Sequence, residues 1–302
     1  MAAVNTESCN GDGKGISGFL KMGGVHVQAR YIVLLQHNGF TGFGSAFRFQ
    51  DGQRLDKPGL APWRERRRVV LRDLAGDPHT FYLKRYVRPP LREQVRRILS
   101  GGLRQSTAGR EWNAILALAA AGIPVPAPVA FGQEMRRGIE RRSFVVIEEA
   151  AGQSLESWLP AHWRRDASGA VRRRQQQILH GLARQVAAFH AAGFVHRDLY
   201  TSHIFVHDDG GSDGPAFTFI DLQRVFRPRW RRMRWIVKDL AALCFSAGPF
   251  VSRTDRLRFW KHYVAFIRRS NWLTRLPARV EARSARIRRR QERRGAGVAC
   301  TS

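Results

Sequence analysis

Four side chains, taken in chain order, are of the types that move a phosphoryl group. Lys84 stands in the apolar stretch TFYLKRY (80–86), and Glu111 follows 27 residues later in GREWNAI (109–115). Asp198 stands in HRDLYTSHIF (196–205), and Asp221 ends FTFID (217–221), 23 residues beyond it. A lysine can pair with nucleotide phosphates, and a neighbouring Glu keeps it oriented. An Asp beside an acceptor hydroxyl positions it and takes its proton, while a second Asp holds a Mg²⁺ that bridges phosphate oxygens. In such chemistry the protein mostly positions groups and stabilises charge. Singly, each residue has a bland explanation: a solvated edge-strand Lys, a helical Glu, a helix-capping Asp. The order of all four, each on a suitable element, carries the reading, and it requires that they converge around one triphosphate.

The elements that must position them are legible in the hydrophobic pattern. RRRVVL (66–71) and TFYLKRY flank a turn signalled by Gly76, Asp77 and Pro78, which predicts a β-hairpin carrying Lys84. Trp112, Ile115, Leu116 and Ala119 share one face of a predicted helix over 109–122 that presents Glu111 and stops at Gly122. SFVVIEEA (143–150) reads as a buried strand. Ile178, Leu182, Val186 and Phe189 recur at three- and four-residue steps, giving an amphipathic helix over 175–192 that ends at Gly193, just before Asp198. Residues 204–221 read as a short hairpin ending at Asp221, followed by helices over 235–248 and 253–272. Strands and one helix come first, then mostly helices around a small hairpin. That order predicts an α+β, two-lobed chain. Residues 1–24 are expected to be disordered, 25–150 to form a small β-rich N-lobe, 151–274 a helical C-lobe, and 275–302 an Arg-rich tail, either a solvated helix or disordered.

HRDL at 196–199 is similar to the catalytic loop of protein kinases, with His203 in the place of its Asn. More specifically, TFYLKRY, GREWNAI, GIPVPAPVAFG, AAGFVHRDLYTSHIFV, IDLQRV and VKDLAALCFS together resemble the bacterial lipopolysaccharide kinases, the core-heptose and Kdo kinases of the protein-kinase-like superfamily. The resemblance spans roughly residues 65 to 265. It implies a two-lobed protein-kinase-like fold, ATP and Mg²⁺, a sugar hydroxyl of the lipopolysaccharide inner core as acceptor, and work at the cytoplasmic face of the inner membrane. On this resemblance Asp198 is the base, Lys84 and Glu111 hold ATP, and Asp221 holds the metal. His203 takes the position of a metal-ligating Asn. Mg²⁺ prefers oxygen ligands, so the imidazole is open to three roles: binding phosphate, ordering a water, or bracing the loop. His196 and Arg197 read as scaffolding, and Asp239 as the residue that holds the catalytic-loop backbone.

Composition bounds the partners. The net charge is +28, and only six of the 52 basic residues are Lys, the other 46 being Arg. Codon bias explains such a ratio; so does an anionic partner. Cys9, Cys244 and Cys300 form no C-x-x-C, which suits a reducing cytoplasm, and the first residues show no signal peptide. The uncharged run 112–133 is broken by Gly122, Pro124, Pro126 and Pro128, so a helix followed by an extended segment explains it better than a membrane span. Arg and aromatic residues interleave in RVFRPRWRRMRW (224–235), where Arg224, Arg227, Arg229 and Arg231 are candidates for an anionic glycolipid acceptor. The bland alternative there is an exposed loop with Trp230 and Trp235 tucked into the core. That segment and the tail suit peripheral membrane contact. A cover for the phosphates is harder to place: GFTGFGSAF (39–47) lies far upstream of Lys84, and LDKPGLAPW (55–63) offers only Gly59. Two other readings keep to these residues. One is a protein or small-molecule kinase of the same fold; the other is a non-enzymatic pseudokinase binding nucleic acid or membrane. The four catalytic side chains argue against the second, and the basic segment argues against a cationic small-molecule acceptor.

Overall fold

Alternation of apolar and polar residues makes Arg64–Arg72 (β4) and Pro78–Val87 (β5) a long antiparallel hairpin, joined by a turn in which the Asp73 carboxylate accepts from the backbone of Ala75 and Asp77 at 2.9 Å each. The computed structural model describes residues 18–55, 61–209, 214–267 and 276–299, the last six as backbone only. The chain divides into two units, 1–149 and 150–302.

In the first unit the hairpin belongs to a seven-stranded antiparallel sheet of order β1-β2-β6-β7-β5-β4-β3. The remaining strands are β1 (Phe19–Met22), β2 (Val25–Gln28), β3 (Gln53–Arg54), β6 (Pro128–Arg136) and β7 (Ile139–Glu148). Helices α1 (Ile32–His37), α2 (Phe43–Arg48), α3 (Leu91–Gly101) and α4 (Thr107–Ala120) complete it. Phe81 and Leu83 of β5 join Phe144 and Val146 of β7 in a core with Val27, Leu34, Leu35 and Phe40. Helix α4 packs on β5, β6 and β7, with the Trp112 ring stacked on Phe131 at 5.5 Å. The expectation of disorder over 1–24 fails for its last residues: Phe19–Met22 pair with Val25–Gln28, and β2 pairs in turn with β6. Residues 1–17 lie outside the described residues. The Gly-rich stretch 39–47 enters helix α2, where Ser45 Oγ accepts from the backbone of Gly42 at 3.1 Å; it is a packed part of the unit. Gly59 of the second Gly-containing stretch lies outside the described residues. The uncharged run 112–133 is the helix α4, a Gly122 turn and the start of β6.

The second unit is helical: α5 (Leu155–His162), α6 (Gly169–Ala191), α7 (Arg232–Ala247), α8 (Arg253–Ile267) and α9 (Leu276–Ala299). A three-stranded sheet of order β10-β9-β8 joins them, from β8 (Gln153–Ser154), β9 (Ile204–His207) and β10 (Ala216–Phe219). Helix α6 buries Ile178, Leu182, Val186 and Phe189 and packs on α8. The Arg-rich tail is no solvated appendage: α9 buries Leu276, Val280 and Ser284, one residue per turn, and packs on α7.

Candidate active site

Strand alternation turns Lys84 away from the face that carries Phe81 and Leu83, and its register partner is Val145. There the Lys84 ammonium donates to Glu111 Oε1 of α4. Lys84 is 7% exposed and Glu111 1%. Losing one partner of such a buried pair costs about 3–5 kcal/mol, whereas replacing both with apolar residues is often neutral. Stability is therefore a poor reason for this pair, and a fixed ammonium is a good one.

A second buried carboxylate sets the phase of α4. Glu140, 1% exposed, accepts from Thr107 N at 2.9 Å, Thr107 Oγ1 at 2.7 Å and Ser143 Oγ at 2.5 Å, with Arg97 3.7 Å away. Ser106 caps the helix by accepting from Gly109 N at 3.0 Å. Thr107 lies about one turn before Glu111, so this anchor fixes where the Glu111 side chain emerges. No sequence pattern marked Glu140 or Arg97, because both partners are distant in the chain.

In the second unit Asp239 organises the loop that carries Asp198. Its Oδ2 accepts from His196 N at 2.6 Å and its Oδ1 from Arg197 N at 2.7 Å, and it is fully buried. Two backbone N–H groups captured by one carboxylate hold Arg197 at φ 74°, a left-handed conformation that a non-glycine residue adopts only under constraint. The Arg197 guanidinium lies 5.3 Å over the Trp235 ring and 5.7 Å over Phe226. Trp235 is thus half-buried under Arg197, while Trp230 is 81% exposed. His196 Nε2 faces the Ile220 carbonyl at 2.9 Å and must donate to it. Burial holds the His196 pKa below its ordinary value, against the pull of Asp239, so the ring is a neutral spacer between loop and strand end.

Asp198, Asp221, His203 and Arg224 come together here. His203 Nδ1 lies 2.8 Å from the Asp198 carbonyl, so it donates, and Nε2 is left facing Asp221 Oδ2 at 3.6 Å. The bracing role is therefore present. Nε2 and the Asp221 carboxylate stand side by side. Among the described residues no three His, Cys, Asp or Glu gather in a metal-holding group. One carboxylate with a nitrogen beside it does not cage a metal, but it suits a Mg²⁺ that keeps waters and shares phosphate oxygens. Asp221 sits at φ 56°, ψ 54°, which turns the chain sharply into a 3-10 turn, Leu222–Arg224. That turn delivers Arg224, whose Nη1 is 2.6 Å from Asp198 Oδ2. Of the other candidate acceptor arginines, Arg227 lies over the Phe194 ring at 4.2 Å, and Arg229 and Arg231 are exposed.

Lys238 completes the arrangement. Its Nζ lies 3.9 Å from Asp198 Oδ1, opposite Arg224, and burial lowers its pKa while Asp198 raises it. Sequence reading assigned it no role, although two signals were available. It precedes Asp239 on a helix, so it must flank the loop that Asp239 holds. It is also one of six lysines in a chain that otherwise uses Arg.

The profile of the lipopolysaccharide kinase (Kdo/WaaP) family matches residues 63–263. The chain is 33% identical over 206 residues to the lipopolysaccharide core heptose(I) kinase WaaP of Escherichia coli, covering 67% of this chain and 76% of that one. It is 33% identical over 174 residues to the enzyme of the same name from Pseudomonas aeruginosa, covering 57% and 64% respectively. A solved structure, WaaP in complex with acyl carrier protein, is similar with a TM-score of 0.59 and 28% identity, over 83% of this chain and 91% of that one.

Proposed function

This chain belongs to the lipopolysaccharide kinase (Kdo/WaaP) family, and on that premise we propose that it transfers the γ-phosphate of ATP to a sugar hydroxyl of the lipopolysaccharide inner core, a heptose or Kdo hydroxyl. The observation that carries the reading is Asp198, held on a loop pinned by Asp239, with its backbone carbonyl bonded to His203, whose other ring nitrogen faces Asp221. Asp198 accepts the acceptor hydroxyl's proton as the new P–O bond forms, and ADP leaves. Lys84, held by Glu111, binds the ATP phosphates. Asp221 would hold Mg²⁺ with His203 beside it, and the ion would supply charge to the phosphate oxygens. Arg224 and Lys238 flank the base and offset negative charge on an anionic acceptor or on the phosphoryl group in transit.

The acceptor reading brings a membrane with it. No helix among the described residues is long and apolar enough to span a bilayer. Peripheral contact with the cytoplasmic face of the inner membrane therefore rests on surface chemistry. Each Lys or Arg near an anionic leaflet contributes about 1 kcal/mol, and the exposed Arg227, Arg229 and Arg231 are available for it.

Transfer of label from γ-labelled ATP to host membrane glycolipid tests the reading, wild type against Asp198→Asn. The variant is expected to lose about 10²–10⁴-fold in rate. Equal labelling by both would remove Asp198 as the base, and label confined to protein would replace the glycolipid with a protein acceptor.

A further inference from the structure

Helix α3 is built inside out. Its inner residues Gln94 and Arg97 are each 3% exposed, while Leu91, Val95 and Leu99 are 74%, 48% and 83% exposed. Spacing of four residues places those three on one stripe. Leu103, 58% exposed, continues beyond the helix and lies over Gly138, where an added Cβ would stand 2.7 Å from Leu103 Cδ2. A surface helix ordinarily turns its apolar stripe inward. Here the polar inner face is fully engaged and cannot roll over. Gln94 donates to the Glu140 carbonyl at 2.9 Å and accepts from Glu140 N at 3.2 Å, and Arg97 donates to the Gln105 carbonyl at 2.7 Å and to Gln94 Oε1 at 3.1 Å. The leucine stripe is therefore locked outward by hydrogen bonds beneath it.

The flanking charge selects what covers that stripe. Between Arg88 and Arg104 the chain carries four exposed arginines, besides the buried Arg97, and one acid, Glu93. Arg92 and Arg96 beside the stripe are 84% and 63% exposed, and each stands about 4 Å from Glu93, at 4.0 and 3.9 Å. A purely apolar protein groove has no use for this surplus. An anionic bilayer uses both features, taking the leucines at the headgroup–acyl boundary and the guanidinium groups at the phosphates.

We propose that α3 is an interfacial helix that seats the 1–149 unit on an anionic membrane surface, with Leu91, Val95 and Leu99 inserted and Arg92 and Arg96 on the lipid phosphates. For its purpose this rests on the reading of a membrane-borne acceptor, but its test needs no acceptor.

The test is flotation of the full chain with vesicles of phosphatidylcholine containing about 30% phosphatidylglycerol, against pure phosphatidylcholine. A Leu91→Ser, Val95→Ser, Leu99→Ser triple variant is expected to lose at least about tenfold in vesicle partition. Its melting temperature should hold, because the replaced side chains are exposed, and so should its rate on delipidated core oligosaccharide. Arg92→Glu with Arg96→Glu should abolish the preference for anionic vesicles. Undiminished flotation of the triple variant would overturn the proposal, since the arginines elsewhere would then suffice. So would a dimeric wild type that the triple variant turns monomeric with flotation unchanged, which would make the stripe a contact between copies. Lost flotation together with a wild type that labels no glycolipid would leave α3 standing and remove the proposed acceptor.

Discussion

Asp239 and Asp198 serve the same loop, and their surroundings assign them different work. Both oxygens of Asp239 accept from backbone N–H groups in a fully buried site, out of a substrate's reach. The Asp198 side chain keeps 23% exposure and is flanked by side-chain cations that can move. The same contrast separates Asp221 from His203. His203 spends Nδ1 on the Asp198 carbonyl, whereas a carboxylate is the ligand that Mg²⁺ prefers. Asp221→Ala is therefore expected to raise the Mg²⁺ needed for half-maximal rate by about 10–100-fold. His203→Ala should raise it less and act mainly on kcat, by releasing the loop that carries Asp198. Mg²⁺ titration of initial rates checks this, and the reverse order would reassign the metal to the imidazole.

Element junctions carry their own constraints. Gly152 leads into β8 at φ +82°, and a Cβ there would stand 2.1 Å from the Val206 carbonyl oxygen on the paired strand β9. Gly169, at the start of α6, has φ +55° and open space around its Cβ position. Gly169→Ala meets only the left-handed backbone term, about 1 kcal/mol, while Gly152→Ala adds a backbone clash. We expect Gly152→Ala to cost at least about 2–3 kcal/mol and to lower the melting temperature by about 5–10 °C, with a clearly smaller drop for Gly169→Ala. Calorimetry on the two variants decides it; equal drops would mean that β8 can move away from β9.

For the molecule as a whole, the Arg-rich C-terminus contributes Leu276 and Val280 to the buried core through helix α9. Deleting residues 276–302 would strip Leu276 and Val280 from α7, so the shortened chain should melt several degrees lower, at about 1.5–3 kcal/mol per buried side chain, and not merely lose a solvated tail. Unchanged melting would contradict the docking of α9. Acid should destabilise the chain in two stages. Burial depresses the pKa of His196, and also those of His26 and His262, below the 6.5 expected of the unfolded chain. The unfolded state then binds more protons as pH falls, so stability is full above about pH 6.5 and declines as pH drops through the folded values. Asp255 adds a later stage below about pH 4: burial alone would raise its pKa, but hydrogen bonds from Ser252 and Arg172 hold it below 3.8. Thermal scans across pH should show both declines, and a flat melting temperature from about pH 7 to 5 would exclude these three histidines as the source of the first.

What one local window of residues decides was legible beforehand. The β4–β5 hairpin, the amphipathic run of α6, the stop at Gly122 and the ordered types Lys84, Glu111, Asp198 and Asp221 all follow from periodicity, turn chemistry and residue type. What depends on distant partners was not. Strand β1 has four residues and β2 four, too short to announce themselves, and β2 joins the sheet by pairing with β6 about a hundred residues away. Three alternating prolines masked the approach to β6, and Pro128 fits only because it opens the strand. Charge masked α9, whose buried stripe is one small or apolar residue per turn. The inverted face of α3, the Glu140 anchor and the placement of Lys238 beside Asp198 exist only after chain closure. Hydrogen bonds and burial between remote segments choose which face of an element turns inward, and periodicity alone cannot state that choice.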